Sequence, residues 1–109
     1  MPVPSPDEIY LAKVPWNNCT DIRPVIILEC LPKGRCVVVY MSASDGYEGP
    51  PQHMLLQRID ENYNDMKLSR DECYIDRTTY EIPVGWLVKR KGVLTGEMKK
   101  RFYKWFDPR

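Results

Sequence analysis

Val25-Ile26-Ile27-Leu28-Glu29-Cys30-Leu31, then Pro32-Lys33-Gly34, then Cys36-Val37-Val38-Val39-Tyr40-Met41, is the stretch that decides the fold. Two β-branched, apolar runs flank a short turn, the pattern of an antiparallel hairpin. Neither run alternates cleanly between apolar and polar residues. Both faces are therefore expected to be buried, as in central strands of a closed or two-layered sheet.

Ahead of the hairpin, Glu8 to Val14 alternates: Ile9 and Leu11 point one way, Tyr10, Ala12 and Val14 the other. This predicts a first strand, closed by Pro15. Trp16 to Asp21 is rich in turn formers and reads as a loop. Residues 1–7, with three prolines, read as an extended arm. After the hairpin, Ser42 to Pro51 forms a long loop of small residues. His53 to Ile59 reads as a strand, Asp60 to Asp65 as a polar loop and Glu72 to Thr79 as a strand. Trp86 to Val88 reads as a short strand before Lys89-Arg90-Lys91-Gly92. The period then changes. From Thr95, at an N-cap position, Met98, Phe102, Trp105 and Phe106 recur at helical spacing on one face. Short strands followed by one C-terminal helix predict a mainly β fold, a small barrel with the helix packed across it. Residues 1–109 are expected to form one domain.

Composition sets the outer limits. The chain has 109 residues, 43% hydrophobic and 28% charged, the balance of an ordinary globular domain. Its longest apolar run, Val25 to Leu28, is far too short for a membrane span. The N-terminal residues are neither basic nor apolar, so they do not form a signal peptide, and a cytoplasmic location is expected. Cys19, Cys30, Cys36 and Cys73 contain no CxxC pair, and with His53 as the single histidine the spacing of a zinc site is missing. No metal or cofactor is expected. Cys30 and Cys36 flank the hairpin turn and are expected to be reduced. Net charge is +1, unevenly distributed. Residues 1–82 carry eight Lys/Arg against thirteen Asp/Glu, and residues 83–109 carry eight against two. A basic end behind an acidic body suits an anionic partner, or a solvated helix face, and charge alone favours the latter.

Several enzyme signatures are absent, among them GxGxxG, the phosphate-cradling GxxxxGK loop, GxSxG and HExxH. What stands out is Ile22-Arg23-Pro24 directly before the first run of the hairpin. An arginine there, followed by a proline of fixed φ, can present a planar fork of donors to phosphate. From the dipeptide alone, an ion pair with Asp21 is the stronger reading. Because the start of one hairpin strand lies beside the end of the other, Arg23 should come close to Ser42. A hydroxyl beside a guanidinium makes a phosphate cradle or a turn stabiliser. His53, near Pro51 at a strand start, suits a structural place better than a catalytic one, yet it is the chain's natural proton carrier near neutral pH.

These segments resemble the PemK/MazF-type toxins of toxin–antitoxin pairs. The resemblance rests on Glu8-Ile9-Tyr10-Leu11-Ala12-Lys13-Val14-Pro15, a polar loop, then Ile22-Arg23-Pro24-Val25-Ile26-Ile27-Leu28. Met41-Ser42-Ala43, Pro51 to Leu56, Ser69 to Asp76 and the basic C-terminal helix extend it over residues 8–106. It implies an SH3-like small barrel of the PemK/MazF/CcdB type, a homodimer that cleaves single-stranded RNA without a metal. An acidic antitoxin would fold over its RNA groove. By position Arg23 would stabilise charge on the phosphate, with Ser42 where the family commonly has threonine, and Asp76 or His53 would move protons. Trp16 and Tyr47 would stack on bases or anchor their loops. Asn18, Thr20, Ser44 and Arg77 complete the implied RNA contacts. Two alternatives share the fold: a CcdB-type toxin that binds DNA gyrase through the aromatic end of its helix, and a catalytically inactive nucleic-acid-binding module.

Overall fold

The computed structural model describes residues 3–15, 21–42 and 53–107. Six strands form one antiparallel sheet: β1 (Glu8–Lys13), β2 (Ile22–Leu31), β3 (Arg35–Ser42), β4 (His53–Gln57), β5 (Glu72–Pro83) and β6 (Leu87–Val93). Their order across the sheet is β4-β5-β3-β2-β1-β6. One helix, α1 (Gly96–Phe106), follows. The mainly β fold with one C-terminal helix is as the sequence predicts. The sheet coils toward a barrel but leaves β4 and β6 as its edges.

The β2–β3 hairpin occupies the centre. Val25 faces Tyr40, Ile26 faces Val39 and Ile27 faces Val38. The turn places Lys33 and Gly34 at φ of 65° and 71°, left-handed backbone that glycine adopts without strain. Leu28 falls in a register shift, after which Cys30 faces Cys36. The unbroken apolar runs have the predicted cause, since each strand feeds two cores. Val25, Ile27, Cys36, Val38 and Tyr40 join Tyr10, Ala12, Val14, Ile82 and Leu87 on one face. Ile26, Val39 and Met41 join Ile9, Leu56, Ile75, Met98 and Phe102 on the other, beneath α1.

Three segments differ from the sequence reading. β5 runs four residues past Thr79, to Pro83, because a register irregularity lets it bend. Met41 faces Ile75 but Val39 faces Thr79, so Asp76, Arg77 and Thr78 take up the extra length. Trp86 lies in a 3-10 turn, and the basic run itself forms β6. An edge strand leaves its lysine and arginine side chains in water, so the charge is tolerated there. Finally, the polar loop after β4 carries a 3-10 turn, Tyr63–Met66, whose Tyr63 and Met66 are buried in the helix-side core. Gly92 on β6 runs against that turn: a Cβ there would sit 2.7 Å from the Met66 carbonyl.

Helix α1 begins after Thr95, as predicted, but the Thr95 hydroxyl is turned away to Asp65 at 2.6 Å. Asn62 performs the capping from outside, its side-chain oxygen accepting the Glu97 N–H. Met98 and Phe102 are fully buried, and Trp105 and Phe106 pack at the margin of the same core. The far end is tied to the N-terminal segment, where Asp7 accepts a hydrogen bond from Tyr103 and pairs with Lys99 at 2.8 Å.

Candidate functional site

The ladder between β2 and β3 brings Arg23 to Ser42. Extending the pairing of Val25 with Tyr40 by two residues sets these two side by side, and an Arg23 Nη donates to Ser42 Oγ at 3.1 Å. A second Nη lies 3.5 Å from the Asp21 carboxylate. The two contacts expected of Arg23, with hydroxyl and with acid, therefore coexist. The Arg23 side chain is about one-third exposed, at the mouth of a cleft.

A second pair forms one strand pairing away. His53 on β4 faces Asp76 on β5, with Nε2 3.7 Å from the carboxylate. The other Asp76 oxygen accepts the Thr78 N–H at 2.9 Å, which fixes the carboxylate within the bend of β5. Ser42 faces Tyr74, two residues before Asp76 on the same face of β5. The two pairs thus share one face of the sheet, separated by about 7 Å along the strand.

A cleft of about 640 Å³ opens at Arg23 and Ser42. Its floor is apolar, with Leu11 facing Pro24 across β1 and β2, then Met41 and Cys73. Its rim carries Asp21, Glu72, Arg70 and Lys91. Arg70 and Lys91 were not singled out by the sequence. Nothing local marks them, because the sheet order brings their segments to one rim. His53 and Asp76 lie outside this lining.

Arg77 faces elsewhere. It donates to the Trp105 carbonyl at 2.6 Å and its guanidinium lies 4.7 Å over the Trp105 ring, holding the end of α1. Trp16, Asn18, Thr20, Ser44 and Tyr47 lie outside the described residues. Phe102, Tyr103 and Phe106 are engaged in packing: Phe106 stacks on Phe102 at 5.4 Å and Tyr103 is bound to Asp7. Among the described residues no three His, Cys, Asp or Glu side chains gather in a group that could hold a metal. No described helix is long and apolar enough to cross a membrane.

No family model matches the chain, and no curated protein resembles it in sequence. Solved structures do resemble it in shape. One is an endoribonuclease in complex with its cognate antitoxin from a mycobacterial species, with a TM-score of 0.69 and 12% identity over 97% of this chain and 93% of that one. Another is the Mycobacterium tuberculosis toxin MazF-mt6, with a TM-score of 0.62 and 16% identity over 93% of each chain. At such low identity the likeness is one of backbone, and it establishes that this chain has the fold of those two proteins.

Proposed function

We propose that the protein is an endoribonuclease toxin that cleaves single-stranded RNA without a metal ion, by attack of a 2′-hydroxyl on the adjacent phosphorus. The observation that carries this is the Arg23–Ser42 pair at the mouth of a cleft, on a backbone shared with an endoribonuclease. A phosphodiester seated at that pair would meet a guanidinium and a hydroxyl together. The planar guanidinium can hold two oxygens at once.

In the reaction, the 2′-oxygen gives its proton to a base and bonds to phosphorus. The bond from phosphorus to the 5′-oxygen breaks, and that oxygen takes a proton from an acid. The ends produced are a 2′,3′-cyclic phosphate and a 5′-hydroxyl. Arg23 stabilises the negative charge that grows on the non-bridging oxygens, and Ser42 fixes one of them. His53 and Asp76 supply the proton carriers, the carboxylate orienting the imidazole. Trp16, Ser44 and Tyr47 hold flanking bases. A symmetric homodimer in the cytoplasm and an acidic antitoxin segment complete the proposal, the latter supported by the antitoxin bound to the structurally similar endoribonuclease.

The test is a fluorescent single-stranded RNA incubated in EDTA. The parent should cleave it, and Arg23→Ala, with an unchanged melting temperature, should be slower by about 10²–10³-fold. A parent that leaves every RNA intact, or an Arg23→Ala protein as fast as the parent, sinks the reading.

A further inference from the structure

The nuclease reading leaves much of the cleft without a task. Its lining crosses five adjacent strands, from Lys91 on β6 through Leu11 on β1, Arg23 on β2 and Ser42 on β3 to Glu72 on β5, with Arg70 just ahead of β5. Arg70 differs from the other described arginines, each of which has its guanidinium bonded to another described residue. Among the described residues, the Arg70 side chain has no such partner. Its backbone, in contrast, is fixed, because its carbonyl accepts the Tyr63 hydroxyl at 2.9 Å and an Arg58 Nη at 3.3 Å. Lys91 likewise pairs with no carboxylate among the described residues, whereas its neighbour Arg90 is bound to Glu8. The acids on the rim are already engaged: Asp21 pairs with Arg23, and Glu72 accepts from Gln57 at 3.4 Å.

The spacing matters as much as the charge. Counted across the strands, Lys91 lies two strands from Arg23 on one side and the start of β5 two strands away on the other, about 10 Å each way, and the register offsets each of them further along the strands. The three cations enter the cleft from three different segments, so a chain of phosphodiesters can offer each of them its own phosphate. We infer that Arg70 and Lys91 bind the phosphates flanking the one at Arg23–Ser42, so that a single-stranded polynucleotide crosses the strands from β6 toward β5. The inference rests on the nuclease reading for placing the central phosphate at Arg23. It adds that the site selects a chain over a mononucleotide.

The test uses fluorescent single-stranded oligodeoxynucleotides of increasing length, which lack the attacking 2′-hydroxyl and stay intact. Anisotropy titrations at several salt concentrations read affinity and salt slope. Parent affinity should climb over the first few added phosphates, with log K falling against log salt by about 0.7 per contacted phosphate. Arg70→Ala and Lys91→Ala should each weaken the longest oligomer several-fold and flatten the slope by about 0.7, leaving the dinucleotide unaffected. Arg70→Lys should restore most of the loss, and Lys104→Ala, on the exposed side of α1, should change nothing. Variants that bind every length with the parent's affinity and slope overturn the inference, as does an equal loss at every length. If the parent cleaves RNA and these variants bind unchanged, the inference alone falls. If the length and salt pattern appears but no RNA is ever cut, the nuclease reading falls and the inference stands. A parent that binds no oligomer overturns the inference, and the nuclease reading is then decided by RNA cleavage alone.

Discussion

Asn62 reaches from the 3-10 turn to the start of α1, where its side-chain oxygen accepts the backbone N–H of Glu97 at 2.9 Å. The residue that would ordinarily cap this helix, Thr95, bonds to Asp65 instead, and Asn62 also donates to Asp65 at 3.1 Å. The helix N-terminus and the turn are thereby locked to each other by three side chains. Asn62 is itself left-handed, with φ 68°, a conformation asparagine tolerates better than alanine. Asn62→Ala should cost about 1–3 kcal/mol, from a lost cap and a strained backbone together. Asn62→Gly should cost less, because only the cap is lost. Urea unfolding of the two variants checks the order, and equal losses would deny the backbone its share.

Gly92→Ala tests the close approach of β6 to the same turn. The obstructing atoms belong to the backbone of Asp65 and Met66, which cannot swing aside as a side chain would. A loss of about 1–3 kcal/mol, or more, is expected in the same assay. A near-neutral Gly92→Ala would mean that the turn stands further from the strand than described.

The proton carriers can be separated from the phosphate site by kinetics. His53→Ala and Asp76→Asn should each lower cleavage by about 10²–10⁴-fold and remove one limb of the pH–rate profile. Ser42→Ala should be milder than Arg23→Ala, and Ser42→Thr should be tolerated. A His53→Ala enzyme with the parent's profile would return that histidine to a structural role.

Thiol chemistry should divide the described cysteines. Burial pushes the Cys36 thiol up to about 11, with Cys30 opposite adding to the shift, and burial pushes Cys73 up to about 12. Cys30 is exposed, its thiol donating to the Pro4 carbonyl. Since the thiolate is the reactive form, iodoacetamide at pH 8 should label Cys30 while sparing Cys36 and Cys73 until the protein unfolds. Peptide mass spectrometry reads the order directly.

Asp60 should contribute to acid sensitivity. Burial alone would raise its pKa, but the Gln57 N–H and the Arg101 guanidinium outweigh it and hold the carboxyl below its usual value. A depressed folded-state pKa stabilises the fold above the unfolded value, near 3.9, and that contribution fades as pH falls through the folded one. Asp60→Asn should therefore melt lower than the parent at pH 7, with the gap closing below about pH 4. A gap that stays constant down to pH 2 would remove Asp60 from the acid response.

The sequence is legible where one element answers to local rules. The β2–β3 hairpin, the first strand and the helix face of Met98 and Phe102 each announce themselves by period and residue type, and the structure has all three. Arg23 and Ser42 are legible together because antiparallel register is arithmetic: once the turn is placed, the partners follow. What stays hidden depends on neighbours distant in sequence. The sequence reading places a short strand at Trp86 to Val88 and stops before the basic run, because the strand character of Lys89 to Val93 comes from pairing with β1, about eighty residues earlier. The extension of β5 is hidden by a bend, and the buried Tyr63 and Met66 by the polar residues around them. Arg70 and Lys91 line the same cleft only because the sheet order brings their segments to one rim.

The pairing of β1 with β6, and of Asp7 with Tyr103 beyond it, has a consequence for how the protein is made. A growing chain presents β1 and the β2–β3 hairpin early, and local contacts can form them at once. The outer edge of β1 nevertheless has no partner strand until β6 has been synthesised, and Asp7 waits for the helix that follows. Closure of the fold is therefore postponed until β6 and α1 have been made. Until then the nascent domain carries an open strand edge beside its hairpin, the kind of surface at which neighbouring chains stick together.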